Sequence, residues 1–394
     1  MARMLSAVSP AAEELGVLFA RHGYELALVG GTVRDVFLGR PHGDLDLATD
    51  ALPARVLEIV TGWADQVWTI GIGFGTVGMR QGREVLEITA YRSEQYARKS
   101  RKPEVQYGRS LTDDLSRRDF TVNAMAARLP RYELVDPFGG MRDLRNKVLR
   151  TPGRPLDSLS DDPLRILRAA WFAAQLGFTA RPELRAAMAE LAARLSIVPA
   201  ERIRAELSKL MLAPAAGGPR RGITLLVDTG AADQVLPEVA RLRLERDEHH
   251  RHKDVYLHSL TVLDQAIELE PRYGLEQDLE LRLAALLHDI GKPGTRIRLP
   301  GGKVAFHHHE VEGARMARTR LRALRFSREV VADVSRLVGL HLRFHGYGTG
   351  EWTDSAVRRY ATDAGPAADP LARADQGGLH DPERGEGAAA GSRL

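Results

Sequence analysis

From about Asp157 to Leu212 the apolar residues of this chain recur at intervals of three and four almost without interruption, in "PLRILRAAWFAAQL", "PELRAAMAELAARLS" and "AERIRAELSKLML". That period lays one apolar stripe along each of several helices and excludes a sheet over the same residues. The residues before it obey a different rule. "DLDLAT" alternates polar and apolar, the pattern of a half-buried strand, and "YELALVGG", "VWTIGIGFGTVGMR" and "REVLEITAYR" read as further strands punctuated by glycine. Between them lie two helices. One is expected over residues 9–23, with Leu15, Leu18 and Phe19 on one stripe and Gly23 as its stop. The other is "TVRDVFLG", with Val33, Val36 and Phe37 on one side and Gly39 after it. The expected fold is therefore an α/β head, a β-sheet with helices, followed by an all-α remainder.

A chain of 394 residues is too long for one core. The composition shifts predict a head over 1–150, a helical neck and body over 151–245, and an all-α module over 246–362 that holds ten of the thirteen histidines. Residues from about Ala364 onward contain no aromatic, Ile, Val or Met, so 363–394 is expected to be disordered. No apolar run approaches the ~20 residues of a membrane span, and the N-terminus lacks a signal-type apolar core. With no cysteine there is neither disulfide nor thiolate metal site, and the cytoplasm is the expected compartment. Eight basic side chains face four acidic ones between Arg92 and Arg118. The excess of Arg over Lys suits phosphate, which its planar fork binds bidentately, and equally suits a GC-rich codon usage.

The densest chemistry lies in "LALVGGTVRDVFLGRPHGDLDLATD". Alternation along a strand sends Asp44 and Asp46 to one face and Leu45 and Leu47 to the core. Paired carboxylates repel unless a cation sits between them, so Asp44 and Asp46 are candidate catalytic ligands for Mg2+ in a phosphoryl or nucleotidyl transfer. Gly30 and Gly31 leave backbone N–H groups uncovered at a helix start, where a triphosphate can bind, and Arg34 lies one turn further on. Each signal alone has a bland reading, a solvated strand edge or a plain turn. Their order and spacing give the combination its weight.

This stretch resembles the signature of the class II tRNA nucleotidyltransferase and bacterial poly(A) polymerase family: G-G-x-V-R-D, then L-G-R, then D-x-D and a Thr, running here from Gly30 to Thr49. The resemblance extends over roughly residues 20–345. "RRDFTVNAMA" resembles the second family signature, which implies that Arg118 and Asp119 lie against the nucleotide's phosphate and ribose and that Asn123 supports the site. Glu87 is a candidate third carboxylate. "DDPLRILRAAWFAAQLGF" resembles the motif that reads the incoming base. Asp162 and Arg165, three apart, are expected to share a helix face and present a Watson–Crick-like edge, accompanied by Arg168. Two positions depart from the family pattern. Asp161 replaces a Glu, and Trp171 stands where an Arg is usual, exchanging a fixed charge for one N–H donor and a stacking surface. Glu201, Arg202 and Glu206, in the last family motif, read as structural.

In the histidine-rich half, His258, the His288–Asp289 pair, His309 and His341 fall on successive helix-like segments, as a divalent metal site in a helical module requires. Their spacing resembles the HD phosphohydrolase superfamily, which closes its site with a later Asp; the candidate is Asp375. The resemblances together imply template-independent addition of CMP, CMP and AMP from CTP and ATP to tRNA 3′ ends, with Mg2+ in the head and a second divalent metal in the HD domain. Poly(A) addition, CC-only or A-only addition, an HD phosphohydrolase with a vestigial head, and a non-catalytic RNA-binding protein are the alternatives.

Overall fold

Leu26–Val29 is apolar and buried at every position, as befits a strand with neighbours on both sides. It is β1 of a seven-stranded sheet in the computed structural model. The others are β2 (Leu45–Thr49), β3 (Gln66–Trp68), β4 (Thr76–Gln81), β5 (Glu84–Ala90), β6 (Ala126–Arg128) and β7 (Glu133–Val135). The spatial order is β3-β4-β5-β2-β1-β6-β7. Only β2 and β5 run parallel; the other neighbours are antiparallel, so the sheet is mixed. Residues 4–5, 9–41, 43–93, 106–108, 110–214, 218–244, 254–273, 275–300 and 304–344 are described, which leaves Asp375 and the expected tail at 363–394 outside.

The chain divides into two units: Met1–Arg165 with Thr179–Ala187, and Ile166–Phe178 with Met188–Leu394. The first contains the sheet and three short helices that matter for the site. Helix α1 (Pro10–Arg21) starts at Ser9, whose hydroxyl accepts from Ala12 N, and buries Leu15 and Phe19. Helix α2 (Gly31–Phe37) follows β1 directly, and α3 (Leu111–Ser116) is capped by Ser110. The segment "VWTIGIGFGTVGMR" is not one strand but a hairpin, β3 and β4 joined through a 3-10 turn at Ile72–Phe74. A side chain at Gly78 would collide with the Trp68 indole across that pair, at 2.0 Å, so the absent Cβ sets the packing of the two strands.

The second unit is helical. It contains nearly all of α4 (Arg165–Leu176), then α5 (Ala200–Met211), α6 (Val255–Leu269), α7 (Leu279–Leu287), α8 (His309–Ala323) and α9 (Arg328–Leu340), with a small antiparallel hairpin at Arg296–Arg298 and Val304–Phe306. Arg282 of α7 is 2% exposed and locks this unit together. It donates to both oxygens of the buried Glu270 (2.7 and 2.6 Å) and to the Met211 and Ala213 carbonyls (2.7 and 3.0 Å). Helix ends leave carbonyls without intrahelical partners. Here a buried guanidinium satisfies those at the end of α5.

Candidate functional sites

In the first unit, β2 begins at Leu45, so Asp44 stands just before the strand and Asp46 within it, both solvent-exposed, while Leu45 and Leu47 are buried at 2% and 1%. The register of the parallel pair sets Glu87 of β5 opposite Asp46, so a third carboxylate joins the first two. Asp46 is open to solvent on one side and walled by protein on the other. Partial burial raises its pKa; Glu87 and Asp44 push it further up, and Arg118 and Arg34 pull it down. Three carboxylates gathered in one place form an oxygen-donor set suited to a hard divalent cation such as Mg2+.

Behind the carboxylates, Gly30 has φ 68° and ψ −130°, a backbone conformation that strains any L side chain. A Cβ there would also stand 2.8 Å from Arg118 Nη1. Glycine is therefore required both by the turn and by the guanidinium laid against it. Arg118 is oriented by the buried Asp114, which accepts from it at 3.2 Å and from Arg117 at 3.3 Å. The Thr32 hydroxyl of α2 accepts from Asp46 N (3.3 Å) and ties the helix to β2.

Arg34 is 5% exposed, a deeper position than a residue reaching for phosphate from the surface. It forks onto Asp35 (2.9 and 2.8 Å) and donates to Asn123 Oδ1 (2.6 Å). Asn123 Nδ2 in turn donates to Asp119 Oδ1 (2.9 Å), which also accepts from Phe120 N. Arg34, Asn123 and Asp119, eighty-nine residues apart at the extremes, thus form one buried chain of charge-assisted hydrogen bonds. Asp35, Asp114 and Thr32 were missed by sequence reasoning. Asp114 had a visible signal, since it lies three and four residues before Arg117 and Arg118.

The expectation that Asp162 and Arg165 share a helix face is corrected. The helix Pro155–Asp161 ends before Asp162, which is extended (φ −135°, ψ 97°), and α4 starts only at Arg165. Pro163 is the reason, because its ring bars the preceding residue from helical backbone. Asp162 Oδ1 accepts from Leu164 N, and Arg165 donates to Ser158 Oγ (2.6 Å) and to the Arg117 carbonyl (2.5 Å). Arg168 belongs to the second unit, with the half-buried Trp171 and the buried Glu206 near it.

The second unit builds a separate centre. His288, Asp289, His309 and His341 sit at the ends of α7, α8 and α9, and His258 on α6. Asp289 is 1% exposed and lies at the middle, with the Nε2 atoms of His288, His309, His341 and His258 at 3.2, 3.3, 3.8 and 3.9 Å from its oxygens. The Nδ1 atoms of His288, His309 and His341 each lie 2.7–2.9 Å from the backbone carbonyl three residues earlier, Ala285, Phe306 and Val338. A carbonyl can only accept, so each of these rings donates from Nδ1 and presents Nε2 toward Asp289, the nitrogen that would be left for a metal. Asp289 Oδ2 is buried without a hydrogen bond of good geometry. His258–His288–Asp289 and Asp289–His309–His341 are each groups whose ligand atoms lie within 4.8 Å of one another. Imidazoles with one carboxylate suit a first-row transition ion. Burial, then the neighbouring His288, pushes the His341 pKa down to about 3, which keeps its ring neutral. Asp289 is held well below the carboxylate range, its burial outweighed by His288, His309 and Lys292. Lys292 Nζ, 3.0 Å from Asp289, was not singled out in the sequence, although "HDIGK" places it one helical turn on.

Comparison with known proteins gives three matches along the chain. The poly(A) polymerase head domain family matches residues 26–150, the probable RNA- and SrmB-binding site of polymerase A matches 177–242, and the HD domain family matches 255–376. An A-adding tRNA nucleotidyltransferase of Deinococcus radiodurans is 36% identical over 329 residues, 80% of this chain and 68% of its own length. A CCA-adding enzyme of Geobacillus sp. (strain WCH70) is 40% identical over 224 residues, 56% of this chain. The match spans about half the length of that relative, 54%. The structure of a Bacillus stearothermophilus CCA-adding enzyme in complex with CTP superposes with a TM-score of 0.60 at 27% identity, covering 93% of this chain and 78% of that one. Among the described residues no helix is long and apolar enough to cross a membrane.

Proposed function

The chain belongs to the tRNA nucleotidyltransferase and poly(A) polymerase family, and from that premise we propose that it adds CMP, CMP and AMP from CTP and ATP to tRNA 3′ ends, without a nucleic-acid template and with release of pyrophosphate. The observation that carries this reading is the convergence of Asp44, Asp46 and Glu87 beside Arg118 and the Gly30 turn. Mg2+ held by Asp44 and Asp46 would supply Lewis-acid stabilisation of the charge that builds on the α-phosphate. Arg118, pinned by Asp114 against a residue without a side chain, faces the anionic nucleotide. The buried chain of Arg34, Asn123 and Asp119 keeps that wall rigid, so little reorganisation is needed when the substrate arrives. Asp162 and Arg165 are the proposed readers of the base edge. Arg165, held by the Arg117 carbonyl and Ser158, keeps further N–H groups for a ring nitrogen or carbonyl.

The test offers tRNAs ending before CCA, before CA and before A, with Mg2+ and labelled CTP or ATP. Three residues added in order and then a stop is the expected result. Long A-tails, or no incorporation on any substrate, would overturn it; a single A on the tRNA ending in CC alone would assign the activity of the Deinococcus relative's printed name instead. The four imidazoles around Asp289 carry a second reading, metal-dependent hydrolysis of phosphate esters. Release of phosphate from a chromogenic monoester or diester in the presence of Mn2+, Ni2+ or Zn2+, lost in Asp289→Asn, is its test.

A further inference from the structure

We propose that the corner between α8 and α9 is a docking surface for the phosphate backbone of tRNA, gripped by Arg318, Arg322, Arg325 and Arg328. That the RNA is a tRNA rests on the nucleotidyltransferase reading above. Arg318 and Arg322 are four apart on α8 and share a face, Arg325 lies in the turn, and Arg328 opens α9. All four are exposed, and Arg318, Arg322 and Arg328 have no acidic partner among the described residues. Other guanidiniums of the same helix are engaged. Arg315 forks onto Glu312 (2.9 and 2.5 Å), and Arg320 onto Glu238 (3.0 and 3.1 Å). Two exposed carboxylates stand near the corner. Glu329 follows Arg328, and Glu201 Oε1 lies 4.0 Å from Arg325 Nε, their side chains 61% and 69% exposed. A contact that long in water is weak, so it does not withhold Arg325 from a phosphate.

The backbone of the turn is an independent observation. Arg325 has φ 62°, the left-handed region in which glycine is the usual residue. Phe326 N donates to the Leu321 carbonyl and Arg325 N to the Arg322 carbonyl, both at 3.0 Å, the bonds of a helix end that favours glycine at this place. Folding stability therefore gives no reason for a long charged side chain there. Arg204 of α5 donates to the Arg325 carbonyl and brings a fifth guanidinium to the corner. Helices α5, α8 and α9 belong to one unit, and α5 lies within residues 177–242, the stretch that matches the RNA-binding family. The corner is thus continuous with that stretch. A guanidinium donates two parallel hydrogen bonds to a phosphate and sheds its water more readily than an ammonium. Double-stranded RNA is recognised mostly by its shape, its 2′-hydroxyls and its phosphates, so exposed arginines suit the helical part of a tRNA better than its bases.

The experiment measures affinity of the full-length protein for a tRNA ending in CC at several salt concentrations, with melting temperatures on the same preparations. The variants are Arg325→Gly, the double change Arg318→Gln with Arg322→Gln, and Arg315→Gln. The double variant is expected to bind about 10-fold more weakly at low salt, with the slope of log K against log salt reduced by about 2. Arg325→Gly should lose about 3-fold in affinity and about 1 in slope, while its melting temperature stays or rises because glycine suits the left-handed turn. Arg315→Gln removes the same charge from a guanidinium already paired with Glu312, and should stay within about two-fold of wild type. Unchanged affinity and salt slope in the double variant would overturn the proposal. So would an Arg315→Gln variant as impaired as Arg325→Gly, since the effect would then be one of overall charge. Binding needs no turnover. A wild-type protein that binds tRNA with this salt dependence but adds no nucleotide would sink the catalytic reading and leave the docking surface standing.

Discussion

Asn123→Leu removes the link between Arg34 and Asp119 while keeping a side chain of similar shape. Two hydrogen bonds disappear, the donation from Arg34 at 2.6 Å and the donation to Asp119 at 2.9 Å, each with a charged partner. All three residues are buried, at 5%, 6% and 8% exposure, so water cannot replace the lost partners without opening the structure. Hydrogen bonds to charged groups are worth roughly 1.5–3 kcal/mol each, which bounds the loss at about 3–6 kcal/mol. The lower end applies, because Arg34 keeps its fork to Asp35 and Asp119 keeps Phe120 N. A loss of about 3 kcal/mol in a unit of this size lowers its melting temperature by roughly 6–12 °C. Scanning calorimetry of the full chain should show the transition of the sheet-containing unit moving down by that amount while the helical unit's transition stays. Nucleotide incorporation below the melting range should fall as well, since Arg34 and Arg118 lose a common rigid wall. Asn123→Asp keeps the acceptor for Arg34 but sets a carboxylate against Asp119, so its effect should lie between wild type and Leu. A shift under about 2 °C for Asn123→Leu would refute the claim that this chain of bonds organises the head.

Asp44→Ala should abolish nucleotide incorporation and leave metal binding at the histidine centre intact, as read by calorimetric titration with Ni2+ or Zn2+; loss of both would argue against two separate sites. Arg282→Met strands the buried Glu270 and two carbonyls, and should cost about 3–5 kcal/mol of the helical unit's stability in urea unfolding. The double change to Arg282→Met with Glu270→Leu should recover much of that loss, because no unpaired buried charge remains.

Much of the head was legible in the residues themselves. The alternation through Asp44–Leu45–Asp46–Leu47 foretold which side chains would be buried, because strand geometry sends neighbours to opposite faces whatever the rest of the chain does. The need for glycine at position 30 was likewise local in its backbone part. In the histidine-rich half, helical spacing placed the five ligand candidates on four segments, and the four imidazoles meet around Asp289. The reading failed where a single local rule was extended too far. Asp162 and Arg165 have helical spacing, yet Pro163 breaks the helix between them.

What the amino-acid order determined by itself was therefore the set of local geometries and the residue types available for chemistry: paired carboxylates, a glycine turn, and imidazoles on successive helix-like segments. Only the tertiary structure decided which of them meet. Glu87 stands beside Asp46 because β5 pairs with β2 in one particular register, and a shift of one residue would have turned it to the other face. Arg34 points inward to Asn123 instead of out to solvent because a partner eighty-nine residues away completes its hydrogen bonds. The three imidazoles present Nε2 to Asp289 because carbonyls fixed by helix packing accept from Nδ1. Periodicity reports on neighbours along the chain. Register, burial and tautomer depend on contacts between distant segments, whose energies are settled only when the whole core assembles.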